Sequence, residues 1–315
     1  MTPLHFEKWQ ALGNDYLILE RERLTFELTP ARVRRLCEGH FGVYADGVLL
    51  LSRPSDPAAH VADLRIFNPD GSEAELSGNG AREAVMYLRR RGWTERDEFA
   101  ISTLAGDVRP RITGAQTCTV DMGRASLSSK DFPEGRADGR GRVGSDGREW
   151  DFQHVSIGNP QCAIRVGSLD ELEQLDLDAI GPSIERSEQF PNRTNVSWYA
   201  ELERRGEIQS PPARPPARAP AGGGAGAPGR IRARIFERGV GETLSSGTGA
   251  SGAAVAYALE YEPGLRPERV TVLLDGGELE VEVGGDLRVN LTGWARPVFS
   301  GQLSEDFEKE LHETE

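Results

Sequence analysis

The chain has 315 residues, of which 37% are hydrophobic and 28% are charged, and its formal net charge at pH 7 is −13. Length and composition predict a soluble globular protein of about two domains. The acidic balance argues against nucleic acid or an anionic membrane surface as a partner, and no apolar run approaches the ~20 residues of a membrane span.

Two further features bear on the compartment and on cofactors. The first residues lack the basic start and the apolar core of a signal peptide. Cys37, Cys118 and Cys162 are odd in number and far apart, which predicts neither a disulfide framework nor a metal knuckle. The scattered histidines show no zinc spacing. We therefore expect a cytoplasmic protein that binds no metal.

The first half of the chain predicts several strands and two helices. Strands are predicted over residues 4–19 with a turn at Gly13-Asn14, and over 48–51, 64–67, 98–112 and 118–122. Thr29 as N-cap and Pro30 in the first turn predict a helix over 31–37. A second helix follows Ser77-Gly-Asn-Gly, because apolar residues recur at helical spacing until three arginines and Gly92 end it.

The second half repeats this plan. Strands are predicted over 154–157 and 163–166 around a Gly158-Asn159 turn, and over 195–200, 231–236, 270–274, 279–283 and 287–291. A short helix is predicted over 169–175. Segment 249–259 is small and apolar on every face, which is typical of a helix surrounded by protein. The pattern therefore predicts an α+β fold of two units, each with many strands around one helix.

A low-complexity segment of Pro, Ala, Gly and Arg occupies residues 210–230. Its apolar side chains are no larger than Ala and Pro, so it cannot bury enough surface to order itself. We interpret it as a disordered insertion in a hairpin. An inert solvated loop is favoured over a partner-binding proline segment.

Two short stretches align with each other without a gap. They are Asn68-Pro-Asp-Gly-Ser-Glu-Ala-Glu-Leu-Ser-Gly-Asn-Gly-Ala and Glu237-Arg-Gly-Val-Gly-Glu-Thr-Leu-Ser-Ser-Gly-Thr-Gly-Ala. In each, a serine precedes Gly-x-Gly-Ala and a helix, and the unpaired N–H groups of such a helix start suit a carboxylate. Two such loops facing each other would supply the opposed proton-handling groups that inversion at a carbon requires.

The motifs around these loops resemble the diaminopimelate epimerase family, which interconverts LL- and meso-diaminopimelate without pyridoxal phosphate in lysine and cell-wall biosynthesis. The resemblance runs nearly end to end through Gln10-Ala-Leu-Gly-Asn-Asp, Asn68-Pro-Asp-Gly-Ser, Ser77-Gly-Asn-Gly, Val155-Ser-Ile-Gly-Asn-Pro, Phe190-Pro-Asn-Arg-Thr-Asn-Val, Glu237-Arg-Gly and Ser246-Gly-Thr-Gly. Only 210–230 falls outside it.

The resemblance implies two pseudo-symmetric domains, each a mostly antiparallel sheet rolled around a central helix, with the active site in the cleft between them. The implied first domain is 1–125 plus about 293–315, and the second is 126–292. It also implies an isomerase that needs no cofactor, with two-base proton transfer. The oligomeric state stays open, although members often dimerise and a homodimer is one expectation.

The resemblance assigns substrate contacts residue by residue. The positions that hold the distal, non-reacting end of the substrate are Asn68, Asn159, Asn195 and Arg238. The positions that bind the reacting carboxylate are Gly78, Asn79, Gly247 and Thr248. Asn14 and Glu237 complete the cleft. An arginine fork suits a carboxylate because it can bond both oxygens.

The chain departs from the family pattern where protons are transferred. The two cysteines of the family are Ser77 and Ser246 here, and a serine hydroxyl is a much weaker acid that needs an adjacent base. The usual histidine after Gly-Asn-Pro is Gln161, and Tyr44 stands where glycine is usual. Candidate proton acceptors beside the serines are Glu75, Glu237 and Glu242.

Three functions follow from these observations. The first is a diaminopimelate-epimerase-like isomerase with Ser77 and Ser246 as the catalytic pair. The second is a related isomerase or dehydratase of the same fold that acts on another carboxylate. The third is a non-catalytic protein that binds an amino acid. Loss of water from a hydroxylated substrate would mark the second function, and binding without α-hydrogen exchange would mark the third.

Overall fold

A computed structural model describes residues 4–202, 228–261 and 269–314. In this part of the chain, the strands form two mixed sheets. The first sheet contains β1 (His5–Ala11), β2 (Asn14–Glu20), β3 (Val48–Ser52), β4 (Ala62–Phe67), β5 (Glu73–Ala74), β6 (Ile101–Thr103), β7 (Gly106–Val108) and β19 (Arg296–Gln302). The second contains β8 (Pro110–Gly114), β9 (Thr117–Arg124), β10 (Arg140–Ser145), β11 (Arg148–Ser156), β12 (Pro160–Arg165), β13 (Asn195–Glu201), β14 (Gly229–Glu237), β15 (Gly241–Thr243), β16 (Arg269–Leu274), β17 (Gly277–Val283) and β18 (Arg288–Trp294).

The helices of the described residues begin at recognisable caps. They are α1 (Pro30–Cys37), α2 (Gly78–Arg90), α3 (Leu169–Gln174), α4 (Leu177–Glu185), α5 (Gly247–Leu259) and α6 (Glu305–Glu313). The Thr29 side chain caps α1 by accepting from the Arg32 N–H, as the sequence predicts. Among the described residues, none of these helices is long and apolar enough to cross a membrane.

The same path of strands occurs in both sheets. In the first, the order is β19-β1-β2-β3-β4-β6-β7, and in the second β10-β11-β12-β13-β14-β16-β17 is continued by β18-β9-β8. The parallel pairs occupy equivalent places in the two sheets. β2 pairs with β3 and β4 with β6 in the first sheet, and β12 pairs with β13 and β14 with β16 in the second. The predicted α+β fold with two pseudo-symmetric, mostly antiparallel units is confirmed.

The two sheets exchange strands along the sequence. β8 and β9 follow β7 in the chain but lie in the second sheet, where β9 pairs with β18. β19 returns to the first sheet and pairs with β1. The predicted division into 1–125 with about 293–315 and 126–292 stays a prediction. The insertion predicted at 210–230 lies outside the described residues except at 228–230, where β14 begins at Gly229.

One hydrophobic core joins the two units. α2 and α5 are both buried, and their apolar side chains belong to a single cluster with residues of both sheets. α5 is small on every face because its neighbours come close. A Cβ on Gly252 would lie 2.8 Å from the Gln161 side chain, and one on Gly249 would lie 2.8 Å from Ile235. The core therefore holds the two central helices in place relative to each other.

The strand predicted over 98–112 is wrong in its continuity. The chain forms three short strands there, β6, β7 and β8, with β6 and β7 paired as a hairpin. Gly106 in the hairpin turn has φ +110°, a backbone conformation that glycine adopts at no steric cost. The glycine thus turns the chain where the alternating pattern alone predicts a single extended segment.

Candidate active site

Each half brings four equivalent loop positions to the start of its central helix. The repeat consists of β1–β4 with α2 in the first half and of β11–β14 with α5 in the second. The four positions are the turn between its first two strands, the region around the start of its third strand, the end of its fourth strand, and the N-cap of its helix. In the first half these positions are Asn14, Asp46, Asn68 and Ser77, and in the second they are Asn159, Asn195, Glu237 and Ser246. The duplicated topology thus gives the sequence-predicted site residues equivalent positions in the two halves.

The two serines cap the central helices in the same way. Ser77 Oγ accepts from the Gly80 N–H at 3.0 Å, and Ser246 Oγ accepts from the Gly249 N–H at 3.2 Å. Both serines have extended backbone with ψ 122°. In each helix the N–H groups of the first turn are left pointing out of the helix start, which is a site suited to an anion.

The two helix starts touch each other. A Cβ built on Gly247 would lie 3.3 Å from the Gly78 Cα, and one built on Gly78 would lie 3.4 Å from the Gly247 Cα. A Cβ on Gly247 would also lie 3.0 Å from the Leu291 side chain, so little room is left for a side chain at this contact. Ser77 and Ser246 adjoin these glycines, so the geometry brings the two hydroxyl-bearing residues to one place.

Asn79 connects the two halves. Its Nδ2 donates to Asn14 Oδ1 and to Ser245 Oγ, both at 3.1 Å. Its Oδ1 accepts from Arg82 Nη2 at 2.7 Å, and Arg82 Nη1 donates to the Gly78 carbonyl at 3.0 Å. Arg82 is fully buried, so its guanidinium fixes the first turn of α2 from inside the protein.

Ser246 contacts a carboxyl group. Its Oγ donates to Glu237 Oε2 at 3.1 Å, and Thr243 Oγ1 donates to Glu237 Oε1 at 2.9 Å. Burial raises the pKa of Glu237, and the two hydroxyl donors oppose that shift. Ser246 therefore has an adjacent proton acceptor, which a serine needs in order to act as a base.

Ser77 contacts a phenol instead. The Tyr16 hydroxyl donates to Ser77 Oγ at 3.2 Å, and the Tyr16 ring is buried beneath the first turn of α2. Burial raises the pKa of Tyr16 above its ordinary value, so this hydroxyl keeps its proton at neutral pH. The two serines are equivalent in backbone position but have unlike partners.

The residues expected at the distal end of the substrate lie at strand ends in both halves. Asn195 donates to the Pro160 carbonyl at 3.2 Å and accepts from the Arg238 N–H at 2.9 Å. The Arg238 side chain is exposed, and its Nη1 donates to the Asn192 carbonyl at 2.8 Å. Asn68 Nδ2 donates to Ser72 Oγ at 2.9 Å. These bonds hold the loops in shape and leave the guanidinium of Arg238 accessible.

The departures from the family pattern have structural counterparts. Gln161 is fully buried and donates to Asn159 Oδ1 at 2.6 Å, while Asn159 donates to Thr248 Oγ1 at 3.3 Å. Gln161 thus orients Asn159 and does not reach a serine. Tyr44 has φ +60°, a backbone conformation that favours glycine, and its carbonyl accepts from Lys8 Nζ.

Sequence reasoning found the serines and missed most of their neighbours. Among the described residues, Glu237 is the one glutamate of the three candidates that contacts a serine, because Glu242 pairs with Arg234 at 2.8 Å and Glu75 is exposed. Tyr16 was missed, although it follows Asn14-Asp15 directly. Within the described residues, no group of three or more His, Cys, Asp or Glu side chains is arranged to hold a metal ion.

The arrangement agrees with comparisons to known proteins. A family model for diaminopimelate epimerase matches residues 6–128 and 153–296. The diaminopimelate epimerase of Thioalkalivibrio sulfidiphilus is 35% identical over 307 residues, which cover 95% of this chain and 99% of that protein. The diaminopimelate epimerase of Synechococcus sp. strain JA-3-3Ab is 38% identical over 312 residues, which cover 96% and 99%.

Solved structures share the fold at low identity. A phenazine biosynthesis protein of the PhzF family from Bacillus anthracis has a TM-score of 0.63 at 18% identity, with 96% of this chain and 100% of that chain covered. A hydroxyproline epimerase from Agrobacterium vitis has a TM-score of 0.61 at 16% identity, with 96% and 93% covered. With the near end-to-end sequence match, these findings establish that the chain belongs to the diaminopimelate epimerase family.

Proposed function

We propose that this protein interconverts LL- and meso-diaminopimelate by removing the α-hydrogen on one face and returning a proton on the other. The observation that carries the proposal is the contact between two helix starts, each capped by a serine. Relatives that are named diaminopimelate epimerases match 95% or more of the chain, which supports the same substrate here.

The helix starts account for how the reacting carboxylate would be held. Its oxygens would accept from N–H groups of the first turns, at Gly78 and Asn79 on one side and Gly247 and Thr248 on the other. When the α-proton leaves, negative charge spreads into the carboxylate. Two helix dipoles and fixed N–H donors stabilise that charge more than they stabilise the substrate, which is what lowers the barrier.

The distal end of the substrate would bind mainly to the second half of the chain, with Asn68 contributed by the first half. Arg238 would bond the distal carboxylate, and the side chains of Asn68, Asn159 and Asn195 offer both donors and acceptors for an ammonium–carboxylate pair. An exposed guanidinium beside buried Asn195 supports this assignment. Recognition of both ends of the substrate would fix the reacting carbon between the two serines.

The serines would transfer the protons. Ser246 would take the α-hydrogen while its own proton passes to Glu237, which it already contacts. Ser77 would supply a proton from the opposite side. This scheme supplies Ser246 with the adjacent base that a serine requires.

The test is proton exchange in heavy water with LL-diaminopimelate and meso-diaminopimelate as separate substrates. We expect each isomer to give the other with deuterium at the inverted α-carbon, as followed by NMR and chiral separation. Replacement of both serines by alanine should abolish inversion and leave binding measurable by calorimetry. Binding without exchange in the native protein would instead mark an amino-acid-binding protein, and release of water from hydroxylated amino acids would mark a dehydratase.

We further propose that the protein works in the cytoplasm as a homodimer. The support is the family membership, since the relatives are biosynthetic enzymes by name. Light scattering at catalytic concentration should give the mass of two chains. A mass of one chain at full activity would contradict the dimer.

A further inference from the structure

The two serines differ in which hydrogen-bonding positions of their hydroxyl groups are occupied. A hydroxyl oxygen has two acceptor positions and one hydrogen. Ser77 Oγ accepts from both the Tyr16 hydroxyl and the Gly80 N–H, so its own hydrogen is left to donate. Ser246 Oγ accepts from the Gly249 N–H and donates its hydrogen to Glu237, so one acceptor position on this oxygen is left.

We propose that Tyr16 resupplies Ser77 with the proton that Ser77 delivers to the substrate, so that a phenol serves one face of the site and the Glu237 carboxyl serves the other. This inference rests on the proposed epimerisation and assigns the two faces unlike proton partners. The hydrogen bonds set Ser77 as the acid and Ser246 as the base.

The proton balance is complete within the site. The bond from the α-carbon to hydrogen breaks, that proton joins Ser246 Oγ, and the hydroxyl proton of Ser246 passes to the Glu237 carboxylate. The electron pair left at the α-carbon takes the hydroxyl proton of Ser77, and the Tyr16 proton moves to Ser77 Oγ. Tyr16 ends as a phenolate and Glu237 as a carboxylic acid, and water returns both to their starting states between turnovers.

A bystander role for Tyr16 would predict a different environment. A buried tyrosine needs a hydrogen-bond partner for its hydroxyl, and many sites can supply one. Tyr87 on α2 is such a case, since its hydroxyl donates to Glu20 Oε1 at 2.7 Å, away from the serines. Tyr16 instead donates its hydrogen to Ser77 Oγ, the oxygen that must be reprotonated after Ser77 has given its proton to the substrate.

The test compares Tyr16→Phe with Tyr87→Phe, which removes the same atom from another buried tyrosine, one that belongs to α2 itself. Each isomer of diaminopimelate is incubated separately in heavy water. Two rates are measured for each: inversion, and deuterium uptake into recovered substrate of unchanged configuration. Thermal unfolding of both variants checks that they fold.

We expect Tyr16→Phe to slow inversion of both isomers by about 10²-fold, the usual loss when one acid–base group is removed. For the isomer whose α-hydrogen faces Ser246, deuterium uptake with retention should continue, so its ratio to inversion rises at least about tenfold. For the other isomer, both rates should fall. Glu237→Gln should reverse this preference between the isomers, and Tyr87→Phe should resemble the native protein.

Each alternative outcome has its own signature. A Tyr16→Phe protein that inverts like the native protein contradicts the inference, as does an equal fall of all four rates, which a purely structural role would cause. A native protein that binds diaminopimelate without exchange overturns the proposed function and the Tyr16 inference together. That failure appears in the native protein, whereas failure of the inference alone appears in the variant.

Discussion

Glu83 is the most unusual single residue outside the reacting groups. It lies on α2 beside Arg82, and both side chains are fully buried. Arg82 bonds Gly78 and Asn79, so it does not pair with this carboxyl. Burial raises the pKa of Glu83 well above its ordinary range.

This shift predicts how Glu83→Gln changes stability. Because the folded pKa is raised above the unfolded value, titration of this carboxyl leaves stability unchanged below about pH 4.5 and lowers it increasingly as pH rises above that value. The stability of the variant relative to the native protein should therefore increase between pH 5 and pH 8. Urea unfolding at both pH values measures the gain.

The matched control for this prediction is Glu75→Gln, which changes an exposed glutamate just before the same helix. It should leave the pH dependence of unfolding close to that of the native protein. A Glu83→Gln protein that loses stability at pH 8 would show instead that Glu83 is ionised as the counter-charge of Arg82.

Residue types were predictable where local chemistry demanded them, and neighbours across the fold were not. Serine is a preferred helix N-cap, so Ser77 and Ser246 could be placed at helix starts from sequence. Tyr16 reaches Ser77 from β2, a contact that depends on how a strand packs beneath a helix. Nothing in the spacing of Tyr16 and Ser77 indicates that contact.

At the scale of elements, the helix starts determine what chemistry the side chains can perform. A thiol at a helix N-terminus loses its proton much more readily than a hydroxyl does, because the dipole stabilises the thiolate. Here serines occupy both starts, and each depends on a partner for its proton. Thiols at the same two positions would depend less on those partners.

We therefore expect Ser77→Cys combined with Ser246→Cys to raise epimerisation of LL-diaminopimelate by about tenfold or more. Each single replacement should help little, since inversion needs a base and an acid together and such groups act as a unit. Gln161 limits the gain because it supplies no imidazole. Inversion rates of the native, single and double variants decide the matter. A slower double variant would show that the serines are the better matched groups.

Elements were predicted best where caps and periodicity agreed. α1, α2 and α5 follow from their caps and spacing, but α4 was missed because Pro182 lies inside it and suggests a break. α6 was also missed, although Ser304 caps it and three acidic residues fill its first turn. The signal for α6 was present in the sequence, whereas α4 is held by packing of Leu177, Ile180 and Ile184 in a buried cluster.

At the scale of the whole molecule, the two ends of the substrate would be bound by different elements of the protein. The reacting end would lie between the two helix starts, and the distal end would contact Arg238, Asn159 and Asn195 of the second half together with Asn68 of the first. Arg238 is exposed and tied to the Asn192 carbonyl through one nitrogen, which leaves the rest of its fork for a ligand. Binding strength and reaction rate should therefore respond to different substitutions.

Arg238→Ala should weaken binding of diaminopimelate more than alanine at Asn68, Asn159 or Asn195. A charge-assisted bond contributes roughly 1.5–3 kcal/mol, against about 1 kcal/mol for a neutral one. Calorimetry at low salt measures the affinities, and Arg288→Ala, an exposed arginine at the base of β18, serves as the control. Unchanged affinity in Arg238→Ala would show that the distal end binds elsewhere.

The duplication was visible in the sequence, and the family resemblance implied that the C-terminal stretch returns to the first unit, but the transfer of β8 and β9 to the second sheet was not predicted. Two aligned loops predict two similar units, and the repeated strand order confirms them. The transfer of β8 and β9 to the second sheet depends on pairing with β18, whose residues lie far along the chain. Strand patterns show which face is buried and carry no information on a distant partner.

The glycine contact between the two helices has an electrostatic consequence. Each helix start carries roughly half a positive elementary charge, and Gly78 and Gly247 bring two such like poles together inside the protein. Without an anion between them these poles repel each other, and the buried core must hold them in place. A carboxylate that enters this gap relieves the repulsion, so an anionic ligand stabilises the contact between the two halves as well as serving as a reactant.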